Sequence, residues 1–312
     1  MNATRPCRSQ SAYAAVVPAR RVFLGQMAAL LGGLMWGGLP EPAVAAAKLP
    51  LQRQVNDLIQ RLRAQGRIAA TEYTAWSVFD FTSGQKLVAI NEETPRQAAS
   101  MIKPFVAQAF FFAAQKRGAS LVYSPQVRDT MERMIRHSDN RATNEIMRLV
   151  AGERGPREVE TVLKRHAPGV FRETRIVEYI PSGGRTYRNL ASARDYSRFL
   201  QQLWLMRLPQ SAELLRIMGL PNRNRMTTGV ALIPPQTRVY HKTGSTSQLC
   251  GDMGIIECPT RAGQRHAYTF VGIIERPQGS AGYAEWIAAR GNAIRAVSGL
   301  VYQHMKDRYQ LV

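Results

Sequence analysis

Strand-like segments occur in two groups at opposite ends of this chain, and that separation limits the folds open to it. "EYTAWSVFDF" (72–81) and "QKLVAINEE" (85–93) lie near the front, divided by Thr-Ser-Gly, a hairpin signal. "TRVYHKTG" (237–244), "GDMGIIEC" (251–258) and "HAYTFVGIIER" (266–276) lie near the end. Between them, from Ala98 to about Arg225, the texture is helical and broken by polar loops. The longest of these loops is "EYIPSGGRTYRN" (178–189), with Pro181, Gly183 and Gly184. Both ends of the strand-bearing part read as helix. Leu51, Val55, Leu58, Ile59 and Leu62 recur at i, i+4, i+7, i+8 and i+11, while Trp286, Ile287, Ile294, Val297, Val301 and Met305 share one broad face. The expectation is an α+β protein: an antiparallel five-stranded sheet flanked by N- and C-terminal helices, with an all-helical subdomain. Residues 48–97 and 226–312 would form the α/β part, and 98–225 the helical part. No internal repeat or low-complexity tract interrupts this layout.

Residues 1–47 do not belong to that core. Ala19-Arg20-Arg21-Val22-Phe23-Leu24-Gly25 precedes an apolar run from Met27 to Leu39, then a proline, then Ala43-Val44-Ala45-Ala46-Ala47. This is the layout of a secretory signal, and the paired arginines point to the twin-arginine export machinery. The run from 27 to 39 is too short to span a bilayer comfortably. No cysteine comes after it to carry a lipid, and no later stretch approaches a membrane-spanning length. The expected product is a periplasmic or otherwise exported protein, soluble after cleavage. Its formal charge falls from +20 to +17, because the segment holds four arginines and one glutamate. That charge suggests anionic envelope polymers as company, with solubility as the plainer reading; no interleaved aromatic and basic strip argues for nucleic acid. Cys7 leaves with the segment, so Cys250 and Cys258 remain, an even pair in an oxidising compartment. On one extended segment they would stand roughly 26 Å apart, so a bridge needs a turn between them, and their pairing stays open.

The chemistry-bearing stretch is "AASMIKPFVAQAFFF" (98–112). Ser100 and Lys103 are three apart, which on a helix puts them on one face. A serine hydroxyl needs a base to become a nucleophile, and a lysine with a depressed pKa can be that base. Pro104 fits only near a helix start, which places the serine where outward-pointing amides can receive an oxyanion. Alone, Ser-x-x-Lys is weak. Further along stand Ser138-Asp139-Asn140, between two helical runs, and Lys242-Thr243-Gly244-Ser245, at the end of a strand. Those three elements in that order characterise class A β-lactamases and penicillin-binding proteins. The chain therefore resembles the serine β-lactamase and D,D-peptidase superfamily, closest to class A, over nearly all of residues 48–312.

The resemblance implies roles. Ser100 would be acylated with help from Lys103, and Ser138 would relay a proton to the departing nitrogen. Asn140 would hold the substrate's side-chain amide. Lys242, Thr243, Gly244 and Ser245 would form the carboxylate-binding strand, and the backbone amide of Thr246 would join that of Ser100 in the oxyanion hole. No cofactor or metal is called for. Two departures stand out. From Lys103 to Ser138 the interval is short for class A, which implies a trimmed helical block. The glutamate that activates the deacylating water in class A sits in Glu-x-x-Leu-Asn; here Glu173 and Glu178 are the carboxylates of that region, and neither precedes Leu-Asn. Glu178 is the better candidate by its distance from Asn189. Pairing with Arg175 or Arg185 as a solvated loop residue is its alternative role. The implied activity is β-lactam hydrolysis; the alternatives are D,D-carboxypeptidase or endopeptidase action on cell-wall peptides, or a non-catalytic peptidoglycan binder. His137 reads as a helix-end residue, His241 as pointing away from the cleft, Phe110–Phe112 as core, and Asn140 as a helix N-cap.

Overall fold

The computed structural model describes residues 50–184, 188–279 and 282–312. The signal-peptide reading of residues 1–47 lies outside them. Among the described residues no helix is long and apolar enough to cross a membrane.

Helix α1 (Leu51–Ala64) buries Leu51, Val55, Ile59 and Leu62, the face its periodicity marks. Strands β1 (Tyr73–Asp80) and β2 (Gln85–Ile90) form the front hairpin, turning through Gly84 at φ 68°. The rear strands are β5 (Arg238–Ser245), β6 (Leu249–Pro259) and β7 (Arg265–Glu275). All five make one antiparallel sheet in the order β2-β1-β7-β6-β5. The last strand thus docks beside the first, Trp76 opposite Gly272, and leaves β5 as a free edge. Space for that pairing comes from Gly272: a Cβ there would sit 2.7 Å from the Trp76 ring.

Helices α2 (Lys103–Arg117), α3 (Pro125–Arg136), α4 (Asn140–Ala151), α5 (Arg157–His166), α6 (Ala193–Trp204) and α7 (Ser211–Met218) fill the middle of the chain. α2 is apolar all round and buried along most of its length, as a helix at the centre of a subdomain must be. Phe110, Phe111 and Phe112 are core residues there. A short ribbon, β3 (Arg96–Gln97) with β4 (Leu190–Ala191), ties the entry of this block to its long loop. α8 (Tyr283–Tyr309) covers the other face of the sheet, with Trp286, Ile294, Val297, Val301 and Met305 buried against α1 and β6. The α+β architecture expected from the strand grouping is the one observed.

Cys250 and Cys258 both lie on β6, which runs without a turn between them, and both thiols are free and buried. The two are therefore not paired. Burial pushes the two thiols up, to about 11 and about 12.

Candidate active site

Ser100 occupies a 3₁₀ turn (Ala99–Ile102) that runs straight into α2. Pro104 falls in the first turn of that helix, where a missing N–H costs nothing. Ala99 has φ 46°, an unfavourable conformation for a residue with a side chain, held because its surroundings fix it. The fixing element is the sheet. A Cβ at Gly244 of β5 would lie 2.9 Å from Met101 Cγ and 3.2 Å from Ala99 Cβ, and one at Gly251 of β6 would lie 2.7 Å from Met101 Cε. Two facing glycines, paired across the strands, thus leave a hollow that Met101 fills. The residue after Ser100 anchors the turn to the strand that carries Lys242.

Lys103 is fully buried. Its Nζ donates to the carbonyl of Ser138, to Ser138 Oγ at 3.2 Å and to Asn140 Oδ1 at 2.8 Å. None of these partners is a carboxylate. Burial, then the nearby Lys242 ammonium, lower its pKa to about 6, against a smaller opposing pull from Asp139. That lowering favours the neutral amine, the state a base requires, in which one of the three oxygens is no longer served by an N–H.

Ser138 links α3 to α4 at φ 58°. Asp139, rather than Asn140, caps α4: its carboxylate accepts the amides of Arg141 at 2.8 Å and Ala142 at 3.0 Å. A carboxylate is also favoured there by the helix dipole. Asn140 is thereby the first helical residue, and its amide points to Lys103. His137 ends α3 as a cap residue.

On β5 the side chains alternate. Tyr240, Lys242 and Gly244 face the helical subdomain; Val239, His241, Thr243 and Ser245 face the α8 side. Lys242 is buried, donates to the carbonyl of Thr243 at 3.1 Å, and has its pKa lowered to about 8 by burial, with Asp252 opposing and Arg225 assisting. His241 is buried away from the cleft with Nδ1 3.2 Å from Asp252 Oδ1. Thr246 requires a correction: its amide donates to the carbonyl of Leu249 at 2.9 Å, inside the β5–β6 turn. In an antiparallel pair, alternate residues turn their amides outward, so Ser245 carries the amide on the free edge of β5.

Arg225 is a residue of the candidate site that the sequence did not reveal, since neither arginine of "NRNRM" (222–226) has a motif around it. Its guanidinium donates to Ser245 Oγ at 2.6 Å and to the carbonyls of Gly244 at 3.1 Å and Gly251 at 2.7 Å. Its own amide donates to Asp252 Oδ2 at 2.6 Å. It therefore backs the Lys-Thr-Gly strand from the α8 side.

Neither loop glutamate is among the described hydrogen-bond partners of Lys103. Glu173 is exposed. The Glu178 carboxylate accepts the Arg188 amide at 3.1 Å and stands 4.0 Å from the Arg188 guanidinium; of its two expected partners, Arg175 forms no ion pair with it among the described residues, and Arg185 lies outside them. The loop residue pinned beside the Ser138–Asn140 segment is Ile180. Asn144, one helical turn beyond Asn140, bonds both its amide and its carbonyl. A Cβ at Gly184, four residues on, would lie 3.0 Å from Asn140 Nδ2. Ile180 is buried and cannot accept a proton.

A model of the "Beta-lactamase enzyme family" matches residues 122–305. The chain belongs to the β-lactamase enzyme family. No curated protein is significantly similar to it. Solved structures share the fold of this β-lactamase-family chain. PBP-A, solved as a leucine-to-glutamate variant in an acyl-enzyme complex with penicillin G, is 23% identical with a TM-score of 0.62, covering 82% of this chain and 96% of its own. An ancestral class A β-lactamase is 21% identical at TM-score 0.61 (81% and 99% covered). A class A β-lactamase representative from Bacteroides cellulosilyticus is 17% identical at TM-score 0.62 (82% and 99%).

Proposed function

We propose that this protein is an exported serine hydrolase in which Ser100 is acylated by β-lactams and by D-alanyl peptides of the cell wall, and that it works as a slow-releasing, D,D-peptidase-like enzyme. The observation that carries acylation is Lys103: buried, depressed in pKa, and bonded to Ser138 and Asn140 while Lys242 stays largely cationic.

In this reading Lys103 takes the hydroxyl proton as Ser100 Oγ attacks the carbonyl carbon. The oxyanion sits between the amides of Ser100 and Ser245, where fixed donors need no reorganisation. Ser138 hands a proton to the departing nitrogen. Lys242, Thr243 and Ser245, backed by Arg225, receive the substrate carboxylate, and Asn140 receives the acyl side-chain amide.

Slow release rests on Ile180. The loop position held against α4 offers an alkyl group where directed hydrolysis needs a carboxylate, and Glu178 is engaged with Arg188. Without a positioned general base, water attack loses a factor of about 10²–10⁴. Efficient β-lactam hydrolysis, the activity implied by the three motifs alone, becomes the second reading and depends on Glu178 leaving Arg188. Export by the twin-arginine route, and association with anionic envelope polymers, belong to the same proposal, through residues 1–47 and the +17 charge of residues 48–312.

Incubation with a fluorescent penicillin, and separately with a chromogenic cephalosporin, tests the reading. Durable labelling lost in Ser100→Ala, with little cephalosporin turnover, is expected. Fast turnover would select the β-lactamase instead, and absence of any label would select a non-catalytic binder.

A further inference from the structure

Behind the Lys-Thr-Gly strand, on its α8 side, lies a cavity of about 360 Å³ between β5, the 223–225 segment and the first half of α8. Thr243 and Arg225, two residues of the carboxylate-binding strand and its backing, form one wall, so the cavity begins where that site ends. Arg223 and Arg295 line the rest, and Gly291 of α8 lies against two of these side chains: a Cβ there would be 3.3 Å from Arg295 Nη1 and 3.6 Å from Arg225 Nε.

The charge balance of this cavity is lopsided. Among the described residues, none of Arg223, Arg225 and Arg295 forms an ion pair with a carboxylate. Arg225 and Arg295 spend their donors on neutral oxygens: Arg295 on the carbonyls of Thr228 at 2.6 Å and Asn224 at 3.2 Å and on Asn292 Oδ1 at 3.0 Å. Arg223 is exposed at the rim. Asp252 is the carboxylate nearest in effect, and its oxygens are already taken by the Arg225 amide and His241. Three guanidiniums around one satisfied carboxylate is an arrangement that gains by taking up an anion. The ordinary substrate carboxylate at Thr243 and Ser245 answers only the first of them.

Resting on the acyl-transfer reading above, we infer that the cavity receives a second carboxylate carried by the leaving group, so that the enzyme prefers substrates whose departing residue is a dicarboxylate, of the D-aspartyl or D-glutamyl kind. The first carboxylate meets Thr243, Ser245 and Lys242 on the edge of β5. A second, one or two carbons further along the same residue, reaches around that edge toward Arg225, Arg223 and Arg295.

Two thiolesters of the same N-acyl-D-alanine isolate this effect, one releasing mercaptoacetate and the other mercaptosuccinate. In each, Ser100 Oγ forms an ester to the acyl carbon, the C–S bond breaks, and the hydroxyl proton passes to Lys103 as the thiolate departs. The reacting bond is the same; only the extra carboxymethyl differs. One enantiomer of the dicarboxylate should acylate about tenfold faster in kcat/KM, the size of one partly exposed charge contact. The preference should shrink with added salt, as a solvent-accessible ion contact does. Arg223→Gln should bring the ratio toward one and Arg223→Glu should invert it, while the exposed position keeps the fold intact, which thermal unfolding verifies. Equal rates for the two esters, or a ratio indifferent to both Arg223 variants, would overturn the inference. No thiol release from either ester, with no penicillin label on Ser100, would remove the acyl-transfer reading and this inference together, a result distinct from equal rates.

Discussion

Asn144 grips Ile180 by both of its backbone groups: Nδ2 donates to the carbonyl at 2.9 Å and Oδ1 accepts from the amide at 2.8 Å. The grip ties Ile180 to α4 one helical turn past Asn140, whose Oδ1 accepts from Lys103 Nζ. Installing a carboxylate at that point should supply what water attack lacks. Ile180→Glu is expected to accelerate release of a bound penicilloyl group by about 10²-fold or more, at a stability cost of a few kcal/mol for burying a carboxyl (roughly 1–3). Glu178→Gln should leave release unchanged. Trapping of the acyl form by Glu178→Gln would reverse the assignment.

The rate of acylation should follow a bell in pH. It rises through about 6 as Lys103 gives up its proton, and falls above about 8 as Lys242 loses the charge that receives the substrate carboxylate. A kcat/KM profile with no acid limb between about pH 5 and 7 would show that Lys103 is not the base.

Lys103 also has a stability signature. Its folded pKa lies below the ordinary 10.5, so the unfolded chain binds that proton more tightly and the native state is penalised as pH falls toward 6. Lys103→Met should abolish labelling and raise unfolding stability by about 1–4 kcal/mol. The gain should be full below about pH 6 and fade toward 10.5. Urea titrations at three pH values read this directly; a gain that grows with pH contradicts it.

Gly244 tests the anchoring of the nucleophile turn. Gly244→Ala drives a methyl to 2.9 Å from Met101 Cγ, and either Met101 or the strained Ala99 must move. Overpacking of this kind costs about 1–3 kcal/mol. Penicillin labelling should slow at least tenfold (about 1.4 kcal/mol of activation). An unchanged labelling rate would mean that the hollow does not position Ser100.

The thiols offer a simple check of the sheet. In protein lacking residues 1–47, and with them Cys7, Cys250 and Cys258, buried on one straight strand and pushed up in pKa, should ignore a disulfide reagent in the native state and react with two equivalents after denaturation. Loss of that reactivity under oxidising conditions without denaturation would argue for a bridge.

Much of this was legible in residue order. The two groups of strands, the amphipathic faces of α1 and α8, and the Ser100–Lys103, Ser138–Asn140 and Lys242–Ser245 elements are local patterns, because hydrophobic period and side-chain chemistry are written residue by residue. What needed tertiary structure was every relation across distance. That Asp139 caps α4 while Asn140 turns inward comes from the backbone at Ser138, and that Thr246 loses its amide to Leu249 comes from a hairpin register. Arg225 became part of the site only because the fold brings the 223–225 segment behind β5 and β6, where its guanidinium reaches the Gly244 and Gly251 carbonyls and Ser245 Oγ. Sequence spacing favoured Glu178, two residues from the position that Asn144 holds. Which residue of an irregular loop faces a helix is decided by the side chains that satisfy its backbone, and those come from elsewhere in the chain.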